Sequence, residues 1–172
     1  IMKSRDKVLR SICFVLATSL IGVAFSGCAS RAPNPEFAAR LAQYQRLAIV
    51  CAPAPGADPQ YKAIIMNEVE KMVPTRLNFV KKVDCLPNVA VDTSMNPPKV
   101  DLANKSDYDG IVALVYSYGD GNVVLDMTMI DTKTDHSVWT HQLSTKDKNI
   151  QDRLFRHGYW TATEIKWNFY GK

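Results

Sequence analysis

Gly110 to Tyr118 (GIVALVYSY) is apolar at both its even and its odd positions. A strand with one wet face alternates; one that is apolar on both faces belongs inside a sheet covered on each side. The segment Gly119-Asp120-Gly121-Asn122 follows, a turn in which glycine reaches positive φ freely. Val123 to Asp131 then alternates. Val123, Leu125, Met127 and Met129 share one side, Asp126 and Thr128 the other. Thr132-Lys133-Thr134-Asp135 turns again into Ser137 to Ser144, with Trp139 and Leu143 on one face. The expectation is a three-strand antiparallel meander whose first strand is central.

Upstream, Arg46 to Cys51 (RLAIVC) is a short apolar run that ends at the Pro/Gly-rich stretch Ala52 to Pro59, a buried strand and a turn. From Tyr61 to Leu77 the apolar residues recur at helical spacing, through Ile64, Ile65, Val69, Met72 and Val73. Pro74 should bend or end that helix early, because it has no N–H to give. Phe79 to Val83 reads as a second strand. A strand, helix and strand joined this closely imply a right-handed parallel crossover. Leu86 to Lys99 reads as a long loop, and Val100 to Asp107 as holding a helical turn. Glu36 to Gln45 reads as a short helix. Asn149 to Phe169 reads as a closing helix with Ile150, Leu154, Tyr159, Ala162, Ile165 and Phe169 on its apolar face. The fold class is α+β, a mixed sheet packed against helices, in one domain over residues 46–172.

The first 27 residues have a different character. Lys3, Arg5, Lys7 and Arg10 precede 15 nearly uncharged residues, Ser11 to Phe25, and then small Ser26 and Gly27 before Cys28. A basic start, a short apolar core and a small-residue cleavage site make a secretory signal. The apolar run falls short of the ~20 residues needed to span a bilayer. Ending at a cysteine, the segment resembles a bacterial lipoprotein signal, with Phe25 where such signals usually carry Leu. The resemblance implies cleavage before Cys28, lipid on Cys28 and, with Ala29-Ser30 following, the outer-membrane type of sorting; Ala29 to Pro35, small, polar and proline-bearing, reads as the tether between lipid and domain, within residues 28–45. Several acyl chains would anchor stably where one would not.

The leader holds four of the 21 basic residues and one of the 17 acidic ones, so the remaining 145 residues carry a net charge of +1. That gives no basis for nucleic-acid binding. Cys51 and Cys85 are left as an even pair in an oxidising compartment. Each closes one of the two crossover strands, which makes a bridge the first expectation and two free thiols the second. A bridge closing this loop would stabilise by roughly 3–4 kcal/mol. His136, His141 and His157 show no ligand spacing with either cysteine, and neither a metal nor a cofactor is expected.

Asp107-Tyr108-Asp109-Gly110 entering the apolar strand, the Gly119–Asn122 turn, the run Val124 to Asp131, and Asp131 to Asp135 followed by Ser137-Val138-Trp139 carry a second resemblance. Over roughly residues 46–170 the order of elements resembles the periplasmic α/β domain of three families. These are the curli-secretion pore lipoprotein, the lipoprotein activator of penicillin-binding proteins, and the N-terminal domain of the Tol-system propeller protein.

The sequence holds no Gly-x-Ser-x-Gly elbow, His-Glu-x-x-His or phosphate-binding glycine loop. Asp107, Asp109, Asp131 and Asp135 fall at strand ends and turns, where Asp ordinarily caps, and the three histidines read as surface or edge residues. No enzyme activity is expected. The sharper feature is aromatic: Trp160 and Trp167 stand seven residues apart on the closing helix with Glu164 between them, roughly opposite its apolar face. They either pack on a neighbouring element or anchor a partner. Trp160, Trp167, Tyr116 and Tyr118 are the candidate contact residues. The function expected is a lipid-anchored, non-enzymatic protein-interaction module of the outer membrane, facing the periplasm and binding another envelope protein, with self-association open. The alternative is a cell-wall hydrolase or a small-ligand binder.

Overall fold

A computed structural model describes residues 34–119, 122–145 and 149–172. The expectations for the leader, for Cys28 and for the stretch up to Pro33 lie outside these residues, as does the tip of the Gly119–Asn122 turn.

Helix α1 (Pro35–Gln43) starts where Asn34 Oδ1 accepts the Glu36 N–H at 3.1 Å and proline stands in the first turn. Strand β1 (Arg46–Pro53) is buried over its whole middle. A 3₁₀ turn, Pro59–Tyr61, capped by Asp58, leads into helix α2 (Lys62–Arg76). Strands β2 (Lys82–Cys85), β3 (Ala90–Asp92) and β4 (Lys99–Asp101) are short. The helical turn expected before Asp107 is the 3₁₀ turn Lys105–Asp107. The meander is β5 (Gly110–Gly119), β6 (Asn122–Asp131) and β7 (Ser137–Thr145). Helix α3 (Ile150–Glu164) continues as one π turn, Ile165–Phe169.

The main sheet runs β2-β1-β5-β6-β7, parallel through its first three strands and antiparallel thereafter. The fold class is therefore the mixed α+β sheet, with β5 in its centre. One side carries Leu47, Ile49, Cys51, Val112, Leu114, Leu125 and Met127 against α2 and α3. The other side is smaller. Ala48, Val50, Ile111, Ala113 and Ile130 are covered by Val91 and Val100 of the β3–β4 hairpin, with Leu86, Val89 and Leu102. β5 is apolar on both faces because both are covered.

Four expectations need correction. Pro74 does not end α2, which runs to Arg76 and closes with Leu77 N donating to Val73 O at 2.9 Å. So near the terminus, few hydrogen bonds remain for a proline to break. Phe79 and Val80 are not strand. They turn inward, Val80 into the core and Phe79 edge-on to Tyr170 at 5.2 Å, and β2 begins only at Lys82. The long loop holds β3 and the start of β4. Cys51 and Cys85 are free thiols, not a bridge. Their strands are parallel neighbours, but Cys85 lies opposite Ile49 and β1 runs on past Cys51. Burial pushes the Cys51 thiol up to about 12 and the Cys85 thiol up to about 11.

Candidate interaction surface

α3 is held over the sheet by an unusually polar buried side. Asn149 Oδ1 accepts the Gln151 N–H at 2.9 Å and sets the start of the helix. Leu154, Ala162 and Ile165 then face the core together with His157, Gly158 and Thr161. His157 is a correction to the surface reading. It is buried, its Nε2 lies 3.0 Å from the Val123 carbonyl, and burial holds its pKa below the usual imidazole value. The carbonyl can only accept, so Nε2 carries the proton. Thr161 Oγ1 donates to the His157 carbonyl at 2.7 Å. At Gly158 a Cβ would stand 2.5 Å from the Ile65 carbonyl, so α2 and α3 touch backbone to backbone there.

The other side of α3 is aromatic and partly open, although Thr163, one turn from each tryptophan, is buried. Phe155 is 46% exposed, Trp160 43% and Trp167 52%. Tyr159 meets Trp160 edge-on at 5.5 Å. Glu164 lies one turn from each tryptophan and touches β7, with His141 Nε2 3.3 Å from its carboxylate. Trp139 of β7 stacks on His141 at 5.7 Å and leans on Phe169 at 5.7 Å. The tryptophan line therefore adjoins the outer strand of the sheet. The π turn buries Phe169 in the core while Trp167 faces outward.

The two tyrosines part company. Tyr116 is fully buried on the helical side of β5, its hydroxyl donating to the Asp58 carbonyl at 2.6 Å, so it cannot meet a partner. It shares the face of Val112 and Leu114. Tyr118 is 38% exposed, accepts the Asp58 N–H at 2.9 Å and packs on Tyr61, at the far end of β5. Phe155 was not singled out from the sequence, although it falls off the apolar line of the helix.

The turn carboxylates hold backbone. Asp109 takes the N–H groups of Gln45 and Arg46 at 3.1 and 2.9 Å and pairs with the Arg46 guanidinium at 2.7 Å. Asp131 accepts the N–H groups of Lys133 and Thr134, both at 2.9 Å, and the Tyr44 hydroxyl at 3.0 Å. Burial pulls both acids up, but the donors around them outweigh it, so both lie below the usual carboxylate range. Asp135 sits at φ 60° and pairs with Lys105.

A groove of about 630 Å³ opens on the hairpin side of the sheet, between Met95 and Pro98 on one flank and Thr128, Thr140 and Gln142 on the other. Asp126 is its one lining carboxylate and already accepts from Gln142 Nε2 at 2.7 Å. That leaves no carboxylate pair for acid–base work in the groove. Among the described residues no group of three or more His, Cys, Asp or Glu could hold a metal ion, and no helix is long and apolar enough to cross a membrane.

No protein-family model matches the chain, and no curated protein matches it by sequence. Solved structures match it in fold. The PelC dodecamer from Paraburkholderia phytofirmans is 12% identical, with 72% of this chain and 89% of that one covered and a TM-score of 0.43. TolB from Acinetobacter baumannii is 9% identical, with 83% of this chain but 30% of that one covered and a TM-score of 0.44. The LpoB C-terminal domain from Salmonella enterica is 10% identical, with 66% and 94% covered and a TM-score of 0.34. TolB and LpoB stand for two of the three families whose domain the sequence resembles. The likeness is confined to fold.

Proposed function

We propose that this chain is a non-enzymatic protein-interaction module of the bacterial envelope, anchored through lipid on Cys28 at the periplasmic side of the outer membrane. The observation that carries the reading is the outward side of α3. Two large aromatics, Trp160 and Trp167, stand open along one line of the helix, with Phe155 exposed on its flank, while the opposite side already fills the core. Exposed aromatics gathered on one element are the residue types that anchor partners. The carboxylates best placed for chemistry, Asp109 and Asp131, are committed to backbone donors, which favours binding over catalysis. The leader supplies the location: a basic start, an apolar run and Cys28. Labelled palmitate should enter the wild type and not Cys28→Ser; equal labelling would remove the anchor from the reading. For the surface, a tagged full chain is captured from detergent-solubilised envelopes that also hold an untagged, isotope-labelled copy, and its companions, that copy included, are quantified by mass spectrometry. Companions lost at least fivefold from both Trp160→Ala and Trp167→Ala, with the captured chain still folded, are expected. Companions indifferent to both substitutions would place the contact elsewhere.

A further inference from the structure

The two edges of the main sheet are unlike. β2 is four residues long, and its Lys82 and Asp84 form an ion pair at 3.0 Å. Shortness and charge are the usual protections of an edge. β7 is nine residues long, pairs only with β6 among the described strands, and contains no Asp, Glu, Lys, Arg or Pro. Its register slips once, between Met129 and Ile130 of β6, at the end where β7 begins; from Trp139 to Thr145 the ladder is regular. Trp139 and Leu143 pack on the core from this strand yet remain half-buried. A row of free N–H and C=O groups at strand spacing is matched by one chemistry, another extended polypeptide.

We infer that the occupant is a second copy of this chain, paired edge to edge and antiparallel through β7, and that this is the contact the outward tryptophans serve. It rests on the interaction reading above and names the partner. β7 is suited to itself: it has no Asp, Glu, Lys or Arg, and its one histidine lies beside Glu164, so antiparallel pairing opposes no like pair of carboxylates, ammonium or guanidinium groups. Pairing β7 onto the β2 edge of a neighbour would leave most of the strand uncovered and lay it against Lys82 and Asp84. The isologous arrangement avoids this and closes at two copies. Its two-fold axis is perpendicular to the sheet, so both helical layers lie on the same side. α3 lies over β6, so the two α3 helices stand about three strand spacings apart, about 14 Å. Directly packed helices stand about 8–10 Å apart, so large side chains are needed between them. Glu164 reaches β7 from α3, and Trp160 and Trp167 flank Glu164 by one turn on each side. The tryptophans are in position to fill that space, and the added strand completes the cover of Trp139 and Leu143.

The test is sedimentation equilibrium of the full chain in density-matched detergent, over a range of protein concentrations. Thr140 is exposed on β7 and makes a suitable charge probe. The wild type is expected at the mass of two chains. With the pairing centred on the middle of β7, Thr140→Lys alone and Thr140→Glu alone should each raise the dissociation constant at least fivefold, because like charges then stand diagonally across the axis on one face of the sheet. An equimolar mixture of the two should return to the wild-type value, a recovery that a damaged fold could not give. A wild type that stays monomeric overturns the self-pairing. So does a dimer indifferent to both variants, or a mass that keeps growing past two chains. Each of those results leaves the interaction reading intact. That reading fails separately, if Trp160→Ala and Trp167→Ala lower stability by several-fold in the unfolding constant under conditions where the copies are apart.

Discussion

The two sides of α3 use the same kinds of residue to opposite ends. On the inner side Phe169 is wholly buried, in edge contact with Tyr44 at 5.4 Å and Tyr170 at 4.8 Å. On the outer side Trp160 and Trp167 keep about half their surface in solvent. Size and hydrophobicity do not separate these residues; position on the helix does. The inner side also carries His157 and Thr161, each with its hydrogen bond made inside the fold, whereas the buried Thr163 hydroxyl has none among the described residues. What distinguishes structure from contact surface here is whether the neighbours are already present.

The comparison can be broken at four places. The largest effect is expected from Phe169→Ala. It empties a site at the junction of α1, α3 and β7 and should cost about 3–5 kcal/mol in a urea titration. A loss under 1 kcal/mol would mean that this side is not packed as described. Gly158→Ala comes next. Its Cβ would meet the Ile65 carbonyl at 2.5 Å and backbone cannot swing aside as a side chain does, so the two helices must part, at about 1–3 kcal/mol. A neutral result would show that α2 and α3 do not touch there.

The third effect is smaller and depends on pH. His157 is held below its ordinary 6.5 in the folded state, so folding favours the neutral ring. Its contribution is complete above pH 6.5 and is lost as pH falls through the folded value. The carboxylates Asp109 and Asp131, held low, keep theirs until more acidic pH. Between pH 7.5 and 5.5 the wild-type urea midpoint should therefore fall, and His157→Gln should fall less. Parallel slopes would remove His157 from the buried side.

Much of this division was legible in the sequence. The helical period separates Leu154, Ala162 and Ile165 from Trp160 and Trp167. Two-residue alternation places Tyr116 with Val112 and Leu114, a parity that marks it as core and not as a contact residue. Other features had no local signal. β3 and β4 are three residues each, too short to show a period, and exist because the outer face over Ala48 and Ala113 needs cover. The stagger that keeps Cys51 from Cys85 is a property of strand register, which spacing along the chain does not encode. The burial of His157 follows from the Val123 carbonyl beside it, 34 residues away in the chain.

The smallest effect is the most telling. With their neighbours absent, Trp160→Ala and Trp167→Ala should each change the stability of the isolated monomer by under roughly 0.5 kcal/mol. Buried tryptophans would lose about 3–5 kcal/mol. The urea midpoint of each variant, measured where the copies are apart and set beside its loss of association, separates the two directly. Unchanged midpoints with weakened association are the expected result. A midpoint that collapses in either variant would make that tryptophan part of the core and contradict the contact surface.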